Sequence, residues 1–322
     1  MGGFAEWGVS SNNSTLSTCG PPILLYCLSM HRSSISAVYQ WSRLAQRVVA
    51  LWHAGEGQTP SFVRDSYDAI AAEYDLTWTS HMRDLTQALL GRLSLGESSV
   101  CLDLTCGTGY ATGQLQSAGA KQVIGVDAAS GMLKVARQSY PGCRFVQADV
   151  LEFLRQQPDA TFDVITCCWG LGYSKPRLVV RECSRLLRPG GQLGIIDNSL
   201  WSLREMIWTS IRAFSHHPEA LTHAMRVRFL PSSRSLGAAM RQAGLHVDRR
   251  DQGERRYLAK SGREAIARLR STGAAAGFEF AALPEHRDAV YATFASLLEE
   301  RYGQEIPIVH RYIAAISRKG AI

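Results

Sequence analysis

Beyond residue 97, short apolar runs alternate with amphipathic stretches, and this rhythm constrains the fold more than any other feature of the chain. Residues 100–104, 122–127, 144–148, 162–168 and 192–197 read as strands, while 109–118, 131–139 and 177–187 carry helical periodicity between them. Strands joined through helices pair in parallel and need cover on both faces. The runs Asp163-Val-Ile-Thr-Cys-Cys168 and Leu193-Gly-Ile-Ile196 are apolar nearly throughout, as doubly covered strands are. The expectation is an α/β fold built on a doubly wound parallel sheet. Further strand-like runs at 246–258 and 306–318 bring the count to seven.

The remaining segments read as covers on this one core. Residues 1–30 are rich in Gly, Ser, Asn and Thr and are expected to be poorly ordered. Residues 31–96 are expected to form an N-terminal helical cover. Its first helix turns Trp41, Leu44, Ala45, Val48, Val49 and Trp52 inward, and the breaker Gly55-Glu-Gly-Gln-Thr-Pro60 follows. A second helix carries Val63, Tyr67, Ile70, Ala71 and Tyr74 on one stripe, and a third spans 81–93. The core is expected over 97–322, with helical lid segments at about 200–230 and 262–302. The stretch 201–229 reads as helical and aromatic-rich, 233–243 as another helix, and 262–302 as two helices divided near Pro284.

A chain of 322 residues, 46% hydrophobic, buries a core without disulfide staples. Its eight cysteines show no CxxC pair, and several fall inside apolar strands, which points to reduced thiols, a cytoplasmic setting and no zinc site. Residues 1–30 contain no Lys or Arg, so a signal peptide lacks its basic region. The apolar run at 23–28 is far short of the roughly 20 residues of a membrane span.

The chemistry concentrates where the first strand meets the first helix. Gly107-Thr-Gly109 lets the backbone approach a ligand at a helix N-terminus, and Gly113 follows one residue late for a dinucleotide fingerprint. Asp103 stands just before the turn; its charge repels a pyrophosphate and attracts a cation. Asp127 ends the second strand at the spacing of a ribose-binding acid, and Asp149 ends the third, placed for an exocyclic adenine amine.

The series Leu102-Asp-Leu-Thr-Cys-Gly-Thr-Gly109, Gly125-Val-Asp-Ala-Ala-Ser-Gly-Met132, Gln147-Ala-Asp149, Phe162-Asp-Val-Ile165 and Leu187-Arg-Pro-Gly-Gly191 resembles the ordered motifs of class I S-adenosylmethionine-dependent methyltransferases. It is most similar to the branch of ubiquinone and menaquinone C-methyltransferases, and Tyr67-Asp-Ala-Ile-Ala-Ala-Glu-Tyr-Asp75 resembles the helix that precedes their core. The resemblance covers residues 62 to about 200 and departs at Cys106, where a smaller residue is usual. It implies a Rossmann-like seven-stranded sheet, mostly parallel with an antiparallel last strand, and S-adenosyl-L-methionine as cofactor. By that resemblance Asp103, Gly107 and Gly109 hold the methionine part, Asp127 the ribose, and Asp149 with Val150 the adenine, against Met132 and Leu133, with Thr105 and Ala128 in the same cofactor-binding set. Tyr67, Tyr74 and Cys168 complete the cofactor set.

The acceptor is less legible. Tyr173 and His216 are the catalytic candidates, with Asp197, Asn198 and His217 weighed beside them as bases. The fourth strand ends in Cys167-Cys-Trp-Gly170 without the Asn/Asp-Pro-Pro-aromatic motif of base-amine methyltransferases, so nucleic acid is not favoured. Trp201, Trp208 and Phe214, with Phe278 and Phe280, suggest a covered pocket for a small, partly apolar metabolite. The net charge of +7 gathers at Arg249, Arg250, Arg255, Arg256, Lys260 and Arg263. A malonyl-carrier-protein O-methyltransferase meeting an acidic carrier through those residues is the alternative, and a non-catalytic cofactor-binding module is another. An NAD-dependent oxidoreductase is opposed by the charge of Asp103.

Overall fold

The computed structural model describes residues 35–53, 59–273 and 281–321; the expectations for residues 1–30, for the turn before residue 59 and for Phe278 and Phe280 lie outside that set. Strands β1 (Val100–Leu104), β2 (Gln122–Asp127), β3 (Arg144–Gln147), β4 (Phe162–Cys168), β5 (Leu187–Asn198), β6 (Leu245–Ala259) and β7 (Ile306–Lys319) form one sheet in the order β3-β2-β1-β4-β5-β7-β6. The first five are mutually parallel, and β7 runs antiparallel to both β5 and β6. The chain winds outward from β1 through β2 to β3, then restarts at β4 on the other side of β1. Such a switch of direction opens a crevice at the carboxyl ends of the strands.

Helices cover both faces. In chain order they are α1 (Ile35–His53), α2 (Thr59–Ile70), α3 (Ser80–Leu90), α4 (Tyr110–Ser117), α5 (Ser130–Ser139), α6 (Val150–Gln156), α7 (Pro176–Leu186), α8 (Arg204–His216), α9 (Ser233–Gln242), α10 (Gly262–Ser271) and α11 (Pro284–Tyr302). One core layer packs Leu102, Leu104 and Ile165 against Leu154 and Val180, the opposite one packs Cys101 and Val164 against Leu89 and Leu115. None of the described helices is long and apolar enough to cross a membrane.

Three local readings are corrected. Helix α6 was unforeseen because its seven residues are too few for a periodic pattern; Asp149 nucleates it by accepting from the backbone N–H groups of Leu151 and Glu152. The stretch 201–229 is α-helical only over α8, because Pro218 has no N–H and restricts the residue before it; a 3₁₀ turn follows and 222–229 have no regular secondary structure. In α1 the inward face is Trp41, Leu44, Val48 and Leu51, packed beside Ile211 and Phe214, whereas Ala45, Val49 and Trp52 stay exposed. The apolar arc of α1 is wider than the surface that α8 and the turn at 218–221 offer it.

The last two strands decide where the lid sits. The β5–β7 ladder stops at Asn198 opposite Tyr312, while the β6–β7 ladder continues to Ala259 opposite Ile306. The overhang is a two-stranded platform, and Ile306 and Ile308 on it pack with Met206, Leu269, Phe294 and Leu298 from α8, α10 and α11. The N-terminus of α10 lies so close to α11 that a Cβ on Gly262 falls 2.4 Å from the Ala295 carbonyl oxygen. Gly262→Ala is therefore expected to lower stability by about 1–3 kcal/mol, as overpacking against rigid backbone does, measured by denaturant unfolding.

Candidate active site

Two strained residues flank the crevice. Thr105, after β1, and Trp169, after β4, hold left-handed backbone with φ of 53° and 67°, a conformation that L side chains rarely keep without a functional constraint. Gly170 lies so close to Thr105 that a Cβ built on it would stand 2.5 Å from the Thr105 Cβ. Between them and α2 lies a cavity of about 150 Å³ bordered by Thr105, Gly107 and Cys168. Gly107 needs its freedom for a φ of 53°, and nothing stands within 4 Å of where its Cβ projects. Its N–H donates to Asp127 Oδ2 at 2.9 Å, and the Ala129 N–H donates to Oδ1 at 2.9 Å. Burial raises the Asp127 pKa, and these backbone donors oppose the rise.

Asp127, Ala128, Met132, Asp149 and Val150 border the same cavity, as do Tyr67 and Tyr74. Asp149 combines two duties: Oδ1 caps α6, and Oδ2 remains an acceptor at the cavity wall. Leu133, paired with Met132 in the sequence reading, is instead fully buried and borders none of the cavities described here. A helix turn that brings Met132 to the cavity carries its neighbour to the sheet.

Asp103 and Gly109 occupy other positions than expected. Asp103 is fully buried behind the turn, where Thr166 donates to Oδ1 and Thr112 to Oδ2, each at 2.7 Å. It borders a smaller adjoining cavity of about 50 Å³ together with Gly107, Tyr74 and Cys168. Burial pushes its pKa up to about 6, and both threonine hydroxyls favour the charged form. Gly109 borders neither cavity; with φ of 85° it turns the chain into α4 and admits Ala136 and Tyr140 at close range.

Beyond Tyr67 and Tyr173 a second, predominantly apolar cavity of about 170 Å³ opens under the lid. Helix α8 contributes Met206 and Phe214, with Leu203 just before it, α10 contributes Ile266 and Leu269, and α11 contributes Phe294. The two tyrosines border both cavities, their rings 5.9 Å apart and edge-on, with the Tyr67 hydroxyl donating to that of Tyr173 at 3.4 Å. Burial raises the Tyr173 hydroxyl to about 12 and that of Tyr67 well above its ordinary value. At neutral pH both hydroxyls are protonated and able to donate a hydrogen bond.

His216 is corrected more severely: it lies exposed at the end of α8 and borders neither cavity, since Pro218 ends the lid helix there. His217 is spent on Thr293, at 2.9 Å. Of the lid aromatics, Phe214 borders the apolar cavity, but Trp208 stacks on Trp41 of α1 and Trp201 is exposed. Asp197 is buried, accepts from Gly172 N at 2.7 Å and Asn198 N at 2.8 Å, and is pushed up to about 7, while Asn198 borders the apolar cavity. The basic run at 249–256 lies on the edge strand β6, where Arg255 pairs with Asp84 and Arg256 with Glu254, and borders neither cavity.

Sequence reasoning missed Trp78, which borders the apolar cavity and the small one beside Asp103. It sits on a π-helical turn, Asp75–Thr79, held to the glycine turn because Asp75 Oδ1 accepts from Thr79 and Thr108 at 2.7 and 2.6 Å. A π turn inserts one residue and shifts the helical period, which hides such a residue from pattern analysis.

Comparison with known proteins bears on this arrangement. Residues 101–191 match the profile of the methyltransferase domain family. A demethylmenaquinone methyltransferase of Streptomyces griseus is 30% identical over 204 residues, which span 58% of this chain and 86% of that relative. A ubiquinone biosynthesis O-methyltransferase of Idiomarina loihiensis is 38% identical over 96 residues, 29% of this chain and 39% of the relative. Among solved structures, the YcgJ protein of Bacillus subtilis superposes with a TM-score of 0.51 at 18% identity, covering 74% of this chain and all of that one. The [4+2]-cyclase SpnF superposes at 0.50 with 20% identity, covering 76% and 84%, so the fold by itself leaves the reaction open. The extended similarity to the Streptomyces enzyme settles the matter: the chain belongs to the class I S-adenosylmethionine-dependent methyltransferases, in the branch that holds the menaquinone and ubiquinone methyltransferases.

Proposed function

We propose that this methyltransferase alkylates a small, largely apolar acceptor of quinone type, held in the cavity beneath α8, α10 and α11. The observation that carries the reading is the shared wall: Tyr67 and Tyr173 border the acid-tipped cavity on one side and the apolar cavity on the other. The names of the Streptomyces and Idiomarina relatives supply the acceptor class.

The first cavity fits S-adenosyl-L-methionine by its chemistry. Asp127 would accept from the ribose hydroxyls, Asp149 from the adenine amine, and Met132 and Val150 would cover the base. Asp103 would act from behind the turn, through charge and the adjoining small cavity. Thr105, Gly107, Ala128, Tyr74 and Cys168 would shape the walls. The cofactor supplies an electrophilic methyl group on a sulfonium. The protein's part is alignment, which is worth up to about 7–11 kcal/mol in favourable cases, and exclusion of water by the lid. Tyr173 would donate to an acceptor oxygen, and Tyr67 would hold Tyr173 in place. The segments over 200–230 and 262–302 serve as the lid of a single core over 97–322.

The direct test is methyl transfer from S-adenosyl-L-methionine to naphthohydroquinones bearing short prenyl chains, followed by mass spectrometry. Turnover that rises with chain length to a limit supports the reading; none across that panel, from protein that binds S-adenosylhomocysteine, overturns it. Tyr173→Phe removes one donor and little volume, so kcat is expected to fall about tenfold with cofactor affinity unchanged.

A further inference from the structure

The apolar cavity carries a few polar side chains, among them Ser210, Arg270 and Tyr291, and has a polar corner where β5 ends beside the loop that carries Tyr173. The two are tied together by Asp197, which accepts from Gly172 N. Asn198, the next residue, borders the cavity. Its orientation follows from a short chain of hydrogen bonds. The backbone N–H of Arg311 can only donate, and it donates to Ser202 Oγ at 3.2 Å. The Ser202 hydroxyl in turn donates to Asn198 Oδ1 at 3.0 Å. With Oδ1 engaged by Ser202, the donor-only Nδ2 is the amide group left for the cavity.

We infer that Asn198 is a specificity-determining residue: its Nδ2, with the Tyr173 hydroxyl, donates to an accepting oxygen on the acceptor, a carbonyl or an ionised hydroxyl. The inference rests on the proposed reading of the apolar cavity as the acceptor site. Both groups at this corner donate, and the adjoining Asp197 carboxyl accepts from two backbone N–H groups. An acceptor that arrives with an oxygen ready to accept finds two donors here. When such an anion reacts, the bond from its nucleophilic atom to the methyl carbon forms as the carbon–sulfur bond breaks. The electron pair stays on sulfur and the acceptor's charge is cancelled, so a protein base is dispensable for that displacement.

The test compares 1-tetralone, which carries one carbonyl, with tetralin, the same bicycle without it, each titrated into protein saturated with S-adenosylhomocysteine. Wild type is expected to prefer the ketone. Asn198→Leu should weaken 1-tetralone about tenfold, the loss of one buried hydrogen bond, and leave tetralin within twofold. Ser202→Ala, which frees the amide to turn, should erode the same preference while Asn198 stays in place. Equal losses for both probes, or none for the ketone, overturn the role of Asn198 and leave the acceptor cavity standing. Wild-type protein that binds neither probe removes the acceptor cavity itself, and this inference with it.

Discussion

Asp127→Ala is expected to weaken S-adenosylhomocysteine binding at least a hundredfold in calorimetric titration. The carboxylate has two connected duties. Its two oxygens anchor the N–H groups of Gly107 and Ala129, and its position at the tip of β2 makes it the proposed ribose partner. Truncation removes charge-assisted bonds to the two ribose hydroxyls, worth about 1.5–3 kcal/mol each, while the backbone donors it leaves unpaired lower the stability of the fold. Together the two bonds exceed the ~2.7 kcal/mol that a hundredfold change requires. Asp127→Asn should lose nearly as much, because its NH2 then faces one of the two backbone donors. An alanine variant that binds within threefold of wild type would remove Asp127 from the proposed site.

Asp197→Asn is expected to gain stability relative to wild type as pH rises from about 5 to about 8, by an amount on the order of several kcal/mol. Burial lifts the folded-state pKa of Asp197 to about 7, above the ordinary carboxylate value. The native protein therefore holds a proton that the unfolded chain releases. The stability this confers is complete below the unfolded pKa and is lost as pH climbs through about 7. Asp103, raised to about 6, behaves in the same sense. His310 opposes them: burial depresses it to about 3, so its contribution is present above its ordinary value and lost on acidification. The difference between variant and wild type cancels His310 and isolates Asp197. Denaturant unfolding at five pH values measures it, and a difference that stays flat over the range would mean that Asp197 is ionised throughout.

Much of the site was legible because it obeys rules of chain order. The strand tips of a parallel sheet line one edge, so acids that end β1, β2 and β3 gather wherever the strands do. Asp127 and Asp149 both border the cavity as the spacing placed them. Asp103 diverged for a reason outside any spacing rule: Thr112 and Thr166, from α4 and β4, fold over it and take its oxygens. The lid was hardest. His216 was singled out as a titratable group in an aromatic stretch, yet its direction depended on Pro218 ending the helix and on which face of α8 met β7. Trp78 was hidden by a one-residue change of helical period.

Local sequence alone determined the fold class, the strand order's starting motif and the glycine turn, since alternation, periodicity and backbone freedom are properties of neighbouring residues. The tertiary structure alone decided that β6 and β7 outrun β5, and that α8, α10 and α11 pack on their overhang beside an apolar cavity. It also decided that Tyr67 and Tyr173, 106 positions apart, form one wall. Contacts at such separations depend on how whole layers pack, and no window of sequence contains that information.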